Sequence, residues 1–436
     1  MIVNQVGAAK KVLSPARAWI VTVLLFLLNV VNYIDKQVLS FAAIPMMEDL
    51  GLTRQQYGLL GSAFFLLFAL SSILVAIFLI NRIRSKTLLA LLAVVWAVSQ
   101  LPIAFSSSFT LILLCRILLG AGEGPALGAT LNACYGFFPS ERRSLPTSVV
   151  LAGATVGLML AGPLLVPLID TYGWRAGFLG CSFLGLLWLV AWLILGADGP
   201  YAPGKADAML GVPQERSAGG STIGFWLDRA VIGAFLFGMA GYWVLAFNIA
   251  WAVPYLRTEL GQSSQAAGWT MVAINGAFGI SLTLLAWVTE RMLDKGATIR
   301  MARGVLPAIC MLVGSLCFLA LAQVGEGPLV RIILLSVGTA LCCASIGLVA
   351  PLIADIAPPS LQGPALLVYG AVGSLGALGS PYVTGMLLSD AQGFSPAFLL
   401  CGVITALGGI AALLLLHPDR ARARLGARLT KAAFSA

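Results

Sequence analysis

The sequence predicts an all-α membrane protein of twelve transmembrane helices, arranged as two pseudo-symmetric bundles of six. The prediction depends on composition, on the spacing of apolar segments and on an internal repeat. Hydrophobic residues make up 59% of the 436 positions and charged residues only 10%, with a mean hydropathy of +0.97. This composition excludes an ordinary soluble globular protein.

The apolar segments have the length that a bilayer requires. A transmembrane helix needs about 20 predominantly apolar residues, and we find about twelve such segments. Glycine and proline interrupt several of them, which membrane helices tolerate when neighbouring helices satisfy the freed backbone groups. Their approximate centres, in chain order, are Leu27, Leu67, Val95, Gly122, Gly157, Leu187, Leu245, Gly279, Val313, Ala340, Gly376 and Leu407.

The distribution of lysine and arginine predicts the orientation. If both termini are cytoplasmic, most of these cations fall in cytoplasmic loops and tails, whereas Arg54, Arg175 and Arg257 fall on the opposite side. Short cytoplasmic loops carry such an excess. The net charge of +9 is therefore explained by membrane insertion, without a nucleic-acid partner.

An internal repeat divides the chain into two halves. Residues 49–58 align without gaps on residues 259–268, and residues 197–228 form a Gly-, Pro- and Ser-containing stretch without an apolar run. We therefore predict a first bundle over 1–196, a cytoplasmic linker over 197–228 and a second bundle over 229–436. An even number of helices per repeat gives both halves the same orientation, which is one of the known plans of secondary transporters.

Four ionisable residues lie within apolar segments: Asp35 and Lys36 in the first, Arg116 and Glu123 in the fourth. Charges inside a membrane are costly, so they usually face a bundle interior and mark a transport pathway. Arg116 and Glu123 are seven residues apart and share one helix face, roughly 10 Å apart along the axis, whereas Asp35 and Lys36 point about 100° apart. The alternative is a structural salt-bridge network between the first and fourth spans.

Other polar residues within the spans are candidates for the wall of a substrate cavity. Each has an alternative role in a helix–helix hydrogen bond, worth about 0.6 kcal/mol on average. The one histidine, His417, lies at the end of the last span, so protons would have to be carried by Asp35 and Glu123. The further candidates for substrate binding are Tyr33, Tyr242, Asn248, Asn275, Tyr369 and Ser374.

Three motifs carry a resemblance to a known family. The chain contains Cys115–Ala126 (CRILLGAGEGPA), Pro139–Arg143 (PSERR) and Gly173–Phe178 (GWRAGF). Together they resemble the major facilitator superfamily, and within it the anion:cation symporter branch, which includes bacterial sugar-acid permeases and vesicular glutamate transporters. The resemblance implies the major facilitator fold and a bacterial inner-membrane location.

The resemblance also implies roles for the four charged residues. It implies that Glu123 carries a proton and is coupled to Arg116, that Asp35 also senses protonation, and that Lys36 holds the carboxylate of the substrate. Departures from the family pattern are Asn81, where an acid usually helps to lock the outward-facing state, Lys36 in place of a common arginine, and Ser374 in place of a common asparagine. The last two predict a substrate other than a typical sugar acid.

The leading hypothesis is proton-coupled symport of an organic carboxylate by alternating access. The alternatives are anion exchange or uniport without net proton coupling, and a membrane sensor on a transporter scaffold. We expect no enzyme activity, because no nucleophile, metal or nucleotide constellation is present, and no cofactor, metal or nucleic acid. The expected partners are the organic anion, protons and the lipid bilayer, and we expect a monomer.

Overall fold

The computed structural model describes residues 15–79, 82–139, 142–200, 223–323, 327–422 and 424. Asn81 and most of the predicted linker lie outside the described residues. Within them, twelve helices are long and apolar enough to cross a membrane, which confirms the predicted number of spans. Numbered span 1 to span 12, they are Ala16–Leu50, Arg54–Phe78, Ser85–Phe105, Phe109–Tyr135, Ser144–Tyr172, Trp174–Leu195, Arg229–Thr258, Ser264–Asp294, Arg300–Gln323, Pro328–Ile356, Pro364–Leu387 and Ser395–Leu415.

Two spans are not uniform α-helices. Span 4 consists of the helices Phe109–Glu123 and Ala126–Tyr135, with Pro125 between them. Span 9 begins with the π-helical segment Arg300–Val305 before the α-helix Leu306–Gln323. Irregular backbone within a membrane is tolerated where neighbouring helices surround it. The break in span 4 directly follows one of the four charged residues.

The two copies of the repeat make the same turn. Gly51 and Gly261 both adopt positive φ, at 60° and 63°, a conformation that glycine adopts at little cost. Two residues later, the side chains of Thr53 and Ser263 cap the next span by accepting a hydrogen bond from a backbone N–H. The sequence repeat therefore corresponds to a repeated structural element.

The helices of the two halves pack in the same pairs. In the first half, span 1 packs on spans 5 and 6, span 2 on span 4, and span 3 on spans 4 and 6; in the second half, the helices six places later pack likewise. Between the halves, span 2 packs on span 11, span 5 on span 8 and span 1 on span 7. Two pseudo-symmetric six-helix bundles are confirmed, whereas the exact boundaries 1–196, 197–228 and 229–436 stay a prediction.

The halves approach most closely at one end, which we call the closed end; it carries the connections between spans 1 and 2 and between spans 11 and 12. Here a Cβ atom added to Gly58 would lie 2.4 Å from the carbonyl oxygen of Pro381. Arg54 forms an ion pair of 2.6 Å with Asp390. The Gln55 side chain donates to the Tyr382 hydroxyl at 2.9 Å. The closed end is thus held by backbone contact as well as by polar groups.

The halves diverge toward the opposite end. One face of span 11 carries Pro381, Ala377, Ser374 and Gly370. Pro381 contacts span 2, and Ala377 packs in a cluster made mostly of first-half residues. At Gly370, an added Cβ atom would meet no other atom within 4 Å. Tight contact at Pro381 therefore gives way to open space about three turns further along the helix.

Gly58→Ala is expected to separate the halves at the closed end, because the new methyl group would collide with backbone that has no rotamer to change. Spin labels at the exposed positions Glu48 and Ala391, in a background without native cysteines, should move apart by several ångström in pulsed dipolar spectroscopy. Gly370→Ala is the matched control and should leave the distance unchanged. An unchanged distance in Gly58→Ala would contradict the proposed role of this contact.

Candidate functional site

All four intramembrane charged residues are buried. The exposed fractions are 0% for Asp35, 7% for Lys36, 2% for Arg116 and 2% for Glu123. They are contributed by spans 1 and 4, so they all belong to the first half. Because charges are expensive to bury, the partner of each one determines what it can do chemically.

Lys36 and Glu123 form a buried ion pair. The Lys36 Nζ lies 2.8 Å from the Glu123 Oε2 and also donates a hydrogen bond to the Asn32 Oδ1. It lies 4.6 Å from the centroid of the Tyr33 ring, in cation–π contact. Glu123 is the last residue of its helix, just before the break at Pro125. The pair therefore joins span 1 to the point where span 4 is interrupted.

Arg116 lies beside this pair without an ion-pair partner in the described part of the chain. Its Nε donates to the Leu60 carbonyl at 3.4 Å, and one terminal nitrogen has no hydrogen-bond partner there. The guanidinium carbon lies 5.2 Å from the centroid of the Phe64 ring, and the Lys36 Nζ lies 5.9 Å from the same centroid. The Phe64 ring thus lies close to both cations. Of the two, Lys36 is the one that forms the ion pair with Glu123.

Asp35 points away from the ion pair and faces span 3. Its Oδ1 accepts a hydrogen bond from the Gln100 side chain, whereas its Oδ2 has no hydrogen-bond partner among the described residues. No lysine or arginine of those residues forms an ion pair with it. Gln100 is not among the residues predicted from the sequence, although a lone amide within the apolar span 3 is a signal that could identify it.

The predicted residues of the second half form two polar groups. Asn248 donates to the Asn275 Oδ1 at 3.0 Å, and Asn275 donates to the Leu158 carbonyl of span 5 at 3.3 Å. Tyr242 and Tyr369 are in edge contact, with ring centroids 6.2 Å apart. The Tyr369 hydroxyl donates to the Ile346 carbonyl at 3.4 Å, and that of Ser374 to the Gly370 carbonyl at 2.8 Å. Most of these groups thus have protein partners in this conformation.

A small cavity lies between the halves at the two cations. Its first-half wall includes Lys36, Arg116 and Phe64, and its second-half wall includes Ala250 and Pro381. The structure therefore brings Tyr33, Lys36, Arg116 and Glu123 together but directs Asp35 elsewhere. In the residues that the structure describes, no group of three His, Cys, Asp or Glu side chains could hold a metal ion.

Comparisons with known proteins agree with this architecture. The family model described as Major Facilitator Superfamily matches residues 25–346 and 230–435. A D-galactonate transporter of Escherichia coli O6:H1 is 26% identical, over 92% of this chain and 95% of that protein. A hexuronate transporter of Bacillus subtilis is 27% identical, over 91% and 94% respectively.

A solved structure has the same fold. The crystal structure of a bacterial homologue of the human lysosomal transporter Spinster superposes with a TM-score of 0.74 at 17% identity, over 93% of this chain and 98% of that one. The family model and the two transporters named above confirm the expectation of a multi-pass membrane transporter and not an enzyme. The chain belongs to the major facilitator superfamily.

Proposed function

We propose that the protein is a proton-coupled symporter of an organic carboxylate. The observation that carries the proposal is the Lys36–Glu123 ion pair at a cavity between the two halves, beside Arg116, which has no ion-pair partner among the described residues. Two cations at one cavity can bind an anionic group, because hydrogen bonds between a charged donor and an anion are stronger than those between neutral groups. The galactonate and hexuronate transporters to which the chain is similar are named for substrates that carry a carboxylate.

The ion pair supplies a coupling mechanism. While Glu123 is ionised it holds the Lys36 ammonium, so that an arriving carboxylate competes with it for the same cation. When Glu123 takes up a proton, its charge is lost and Lys36 becomes free to bind the substrate together with Arg116. Proton and anion therefore bind cooperatively, which is the thermodynamic requirement for symport.

Asp35 is the second proposed proton carrier. It is fully buried and is bonded to the neutral Gln100, and ionisation in such a place costs far more than it would beside a cation. Binding of a proton there removes the charge while the hydrogen-bonding groups stay in place. Gln100 would then orient the carboxyl group, and loss of the proton would favour a conformation that admits water or a cation.

The arrangement of the halves supports transport by alternating access. We propose that the closed end faces the outside and the diverging end the cytoplasm, with both termini cytoplasmic in a bacterial inner membrane; the positive-inside distribution supports this orientation. The described conformation would then be the inward-facing one. Rocking of the two bundles about the cavity would release the contacts of Gly58 and Arg54 and open the outer side. We propose that one chain suffices for this cycle.

Uptake into proteoliposomes tests the coupling. An inward proton gradient should drive accumulation of a labelled carboxylate, and Glu123→Gln should abolish this accumulation while it retains counterflow exchange, because glutamine resembles the protonated acid permanently. Glu290→Gln removes an exposed carboxylate and serves as the control. Uptake that ignores the gradient in the unmodified protein would indicate exchange or uniport instead.

Arg116 should contribute directly to anion binding. Loss of hydrogen bonds to a charged group costs about 1.5–3 kcal/mol, so Arg116→Ala should weaken binding by roughly 10- to 150-fold in calorimetric titrations. Arg116→Lys keeps the charge but loses the bidentate geometry, and it should give an intermediate affinity. An unchanged affinity in Arg116→Ala would remove this residue from the site.

The ion pair itself is tested by stability. Lys36→Met leaves the Glu123 carboxylate buried without a cation, and breaking a buried pair in this way costs about 3–5 kcal/mol. Adding Glu123→Gln to that variant should restore much of the lost thermal stability in detergent, because no uncompensated charge remains. If the two changes destabilised the protein additively, the pairing would be contradicted.

A further inference from the structure

Gln37 is a buried amide whose side chain lacks a hydrogen-bond partner among the described residues. Its side chain is 0% exposed, and neither its Oε1 nor its Nε2 has a partner in the part of the chain that the structure describes. A primary amide offers two donors and an acceptor. Because nearly all buried polar groups in proteins are paired, an amide without a partner among the described residues calls for one that a bound molecule supplies.

The neighbours of Gln37 on its helix face define where its side chain points. Tyr33, Gln37 and Ser40 are spaced four and three residues apart, so they lie on one face of span 1. The Tyr33 Cβ abuts Gly157 of span 5, only 2.9 Å from where a Cβ at that glycine would lie. The Ser40 hydroxyl donates to the Ala250 carbonyl of span 7 at 3.3 Å. Gln37 therefore faces the junction of spans 1, 5 and 7, between the two halves.

A second amide with an unsatisfied atom lies at the same junction. Asn248 is 1% exposed, and its Oδ1 has no hydrogen-bond partner among the described residues. It precedes Ala250, the partner of Ser40, by two residues. It also donates to Asn275, which in turn contacts Leu158, the residue after Gly157. Gln37 and Asn248 thus lie three and two residues, respectively, before the Ser40–Ala250 contact that joins spans 1 and 7.

We propose that Gln37 and Asn248 form a subsite that binds hydroxyl groups of the substrate and thereby determines the selectivity of the carrier. This inference rests on the proposed function and adds two specificity-determining residues to it. The Gln37 amide would donate to a hydroxyl oxygen, and the Asn248 Oδ1 would accept from a hydroxyl hydrogen. Lys36 and Gln37 point about 100° apart on span 1, so the carboxylate would lie toward span 4 and the hydroxyl toward spans 5 and 7.

The subsite predicts strong selection against substrates without hydroxyl groups. A site built to bond a hydroxyl leaves its own polar groups unpaired when an analogue lacks it, and rejects that analogue far more than a missing methylene would explain. Selection for hydroxyl groups differs from the prediction made from Ser374, which was a substrate other than a typical sugar acid. In the structure, the Ser374 hydroxyl is used within its own helix, so the hydroxyl-binding groups lie at another position.

The test compares the full-length protein with Gln37→Met, which keeps the approximate size and removes the polar atoms. Affinities for D-gluconate, D-galactonate and hexanoate are measured by calorimetry in lipid nanodiscs, together with the melting temperature without ligand. The unmodified protein should bind at least one hydroxylated acid at least tenfold more tightly than hexanoate. Gln37→Met should reduce that ratio at least tenfold, leave hexanoate binding within twofold, and keep or raise the melting temperature.

Two further variants sharpen the result. Asn248→Leu should reduce the same ratio, whereas Gln265→Met, at an exposed glutamine, should leave it unchanged. Three results in Gln37→Met would overturn the subsite and indicate a packing or conformational role. They are an equal loss of affinity for all three acids, an unchanged ratio of the affinities for hydroxylated acid and hexanoate, and a lower melting temperature with selectivity retained. If the unmodified protein binds all three acids with similar affinity, the subsite proposal is wrong and the proposed carboxylate transport is unaffected. If it binds none of the three acids, the result contradicts the proposed carboxylate transport as well.

Discussion

The cost of burying charge in a membrane determines the arrangement of the first half. Four ionisable groups lie within two spans, and different contacts stabilise them. Lys36 and Glu123 form an ion pair with each other. Arg116 contacts a backbone carbonyl and an aromatic ring, and Asp35 accepts a hydrogen bond from a neutral amide. Removing a proton or adding an anion therefore changes the balance among all four. A site with fully matched ion pairs would lack this sensitivity, because nothing would remain to be satisfied by a ligand.

The two halves share one packing plan but not one chemistry. The same helix pairs form in both, and the contacts of span 2 with span 11 and of span 5 with span 8 are related by the repeat. Gly58 and Gly268, which align in the repeat, both lie at these contacts. The second half, however, contributes neutral groups such as Asn248 and Tyr242 at the depth where the first half contributes charge. The symmetric packing thus supplies the two bundles that move against each other. The difference in residues between them assigns the proposed proton coupling to the first half and gives the second half a part in substrate selectivity.

Sequence alone was sufficient for the fold, because bilayer thickness fixes the length of each apolar segment and glycines 51 and 261 repeat the same turn. It could not pair Glu123 with Lys36. Helical periodicity gives the face on which a residue lies, but not the relative depth of two neighbouring helices. Gln37 and Gln100 were visible as amides within apolar spans, yet a sequence does not distinguish an amide that is bonded, as Gln100 is, from one that is not.

The aromatic residues around Lys36 explain how a lysine can serve here. An ammonium is a compact, strongly hydrated charge, and it would be costly to leave unpaired in the interval between protonation of Glu123 and arrival of an anion. The rings of Tyr33, Phe64 and Phe68 lie 4.6, 5.9 and 5.8 Å from the Lys36 Nζ. Cation–π contacts of this kind strengthen when water is excluded. They do not depend on the protonation of Glu123, so they stabilise the ammonium throughout the exchange of one anionic partner for the other.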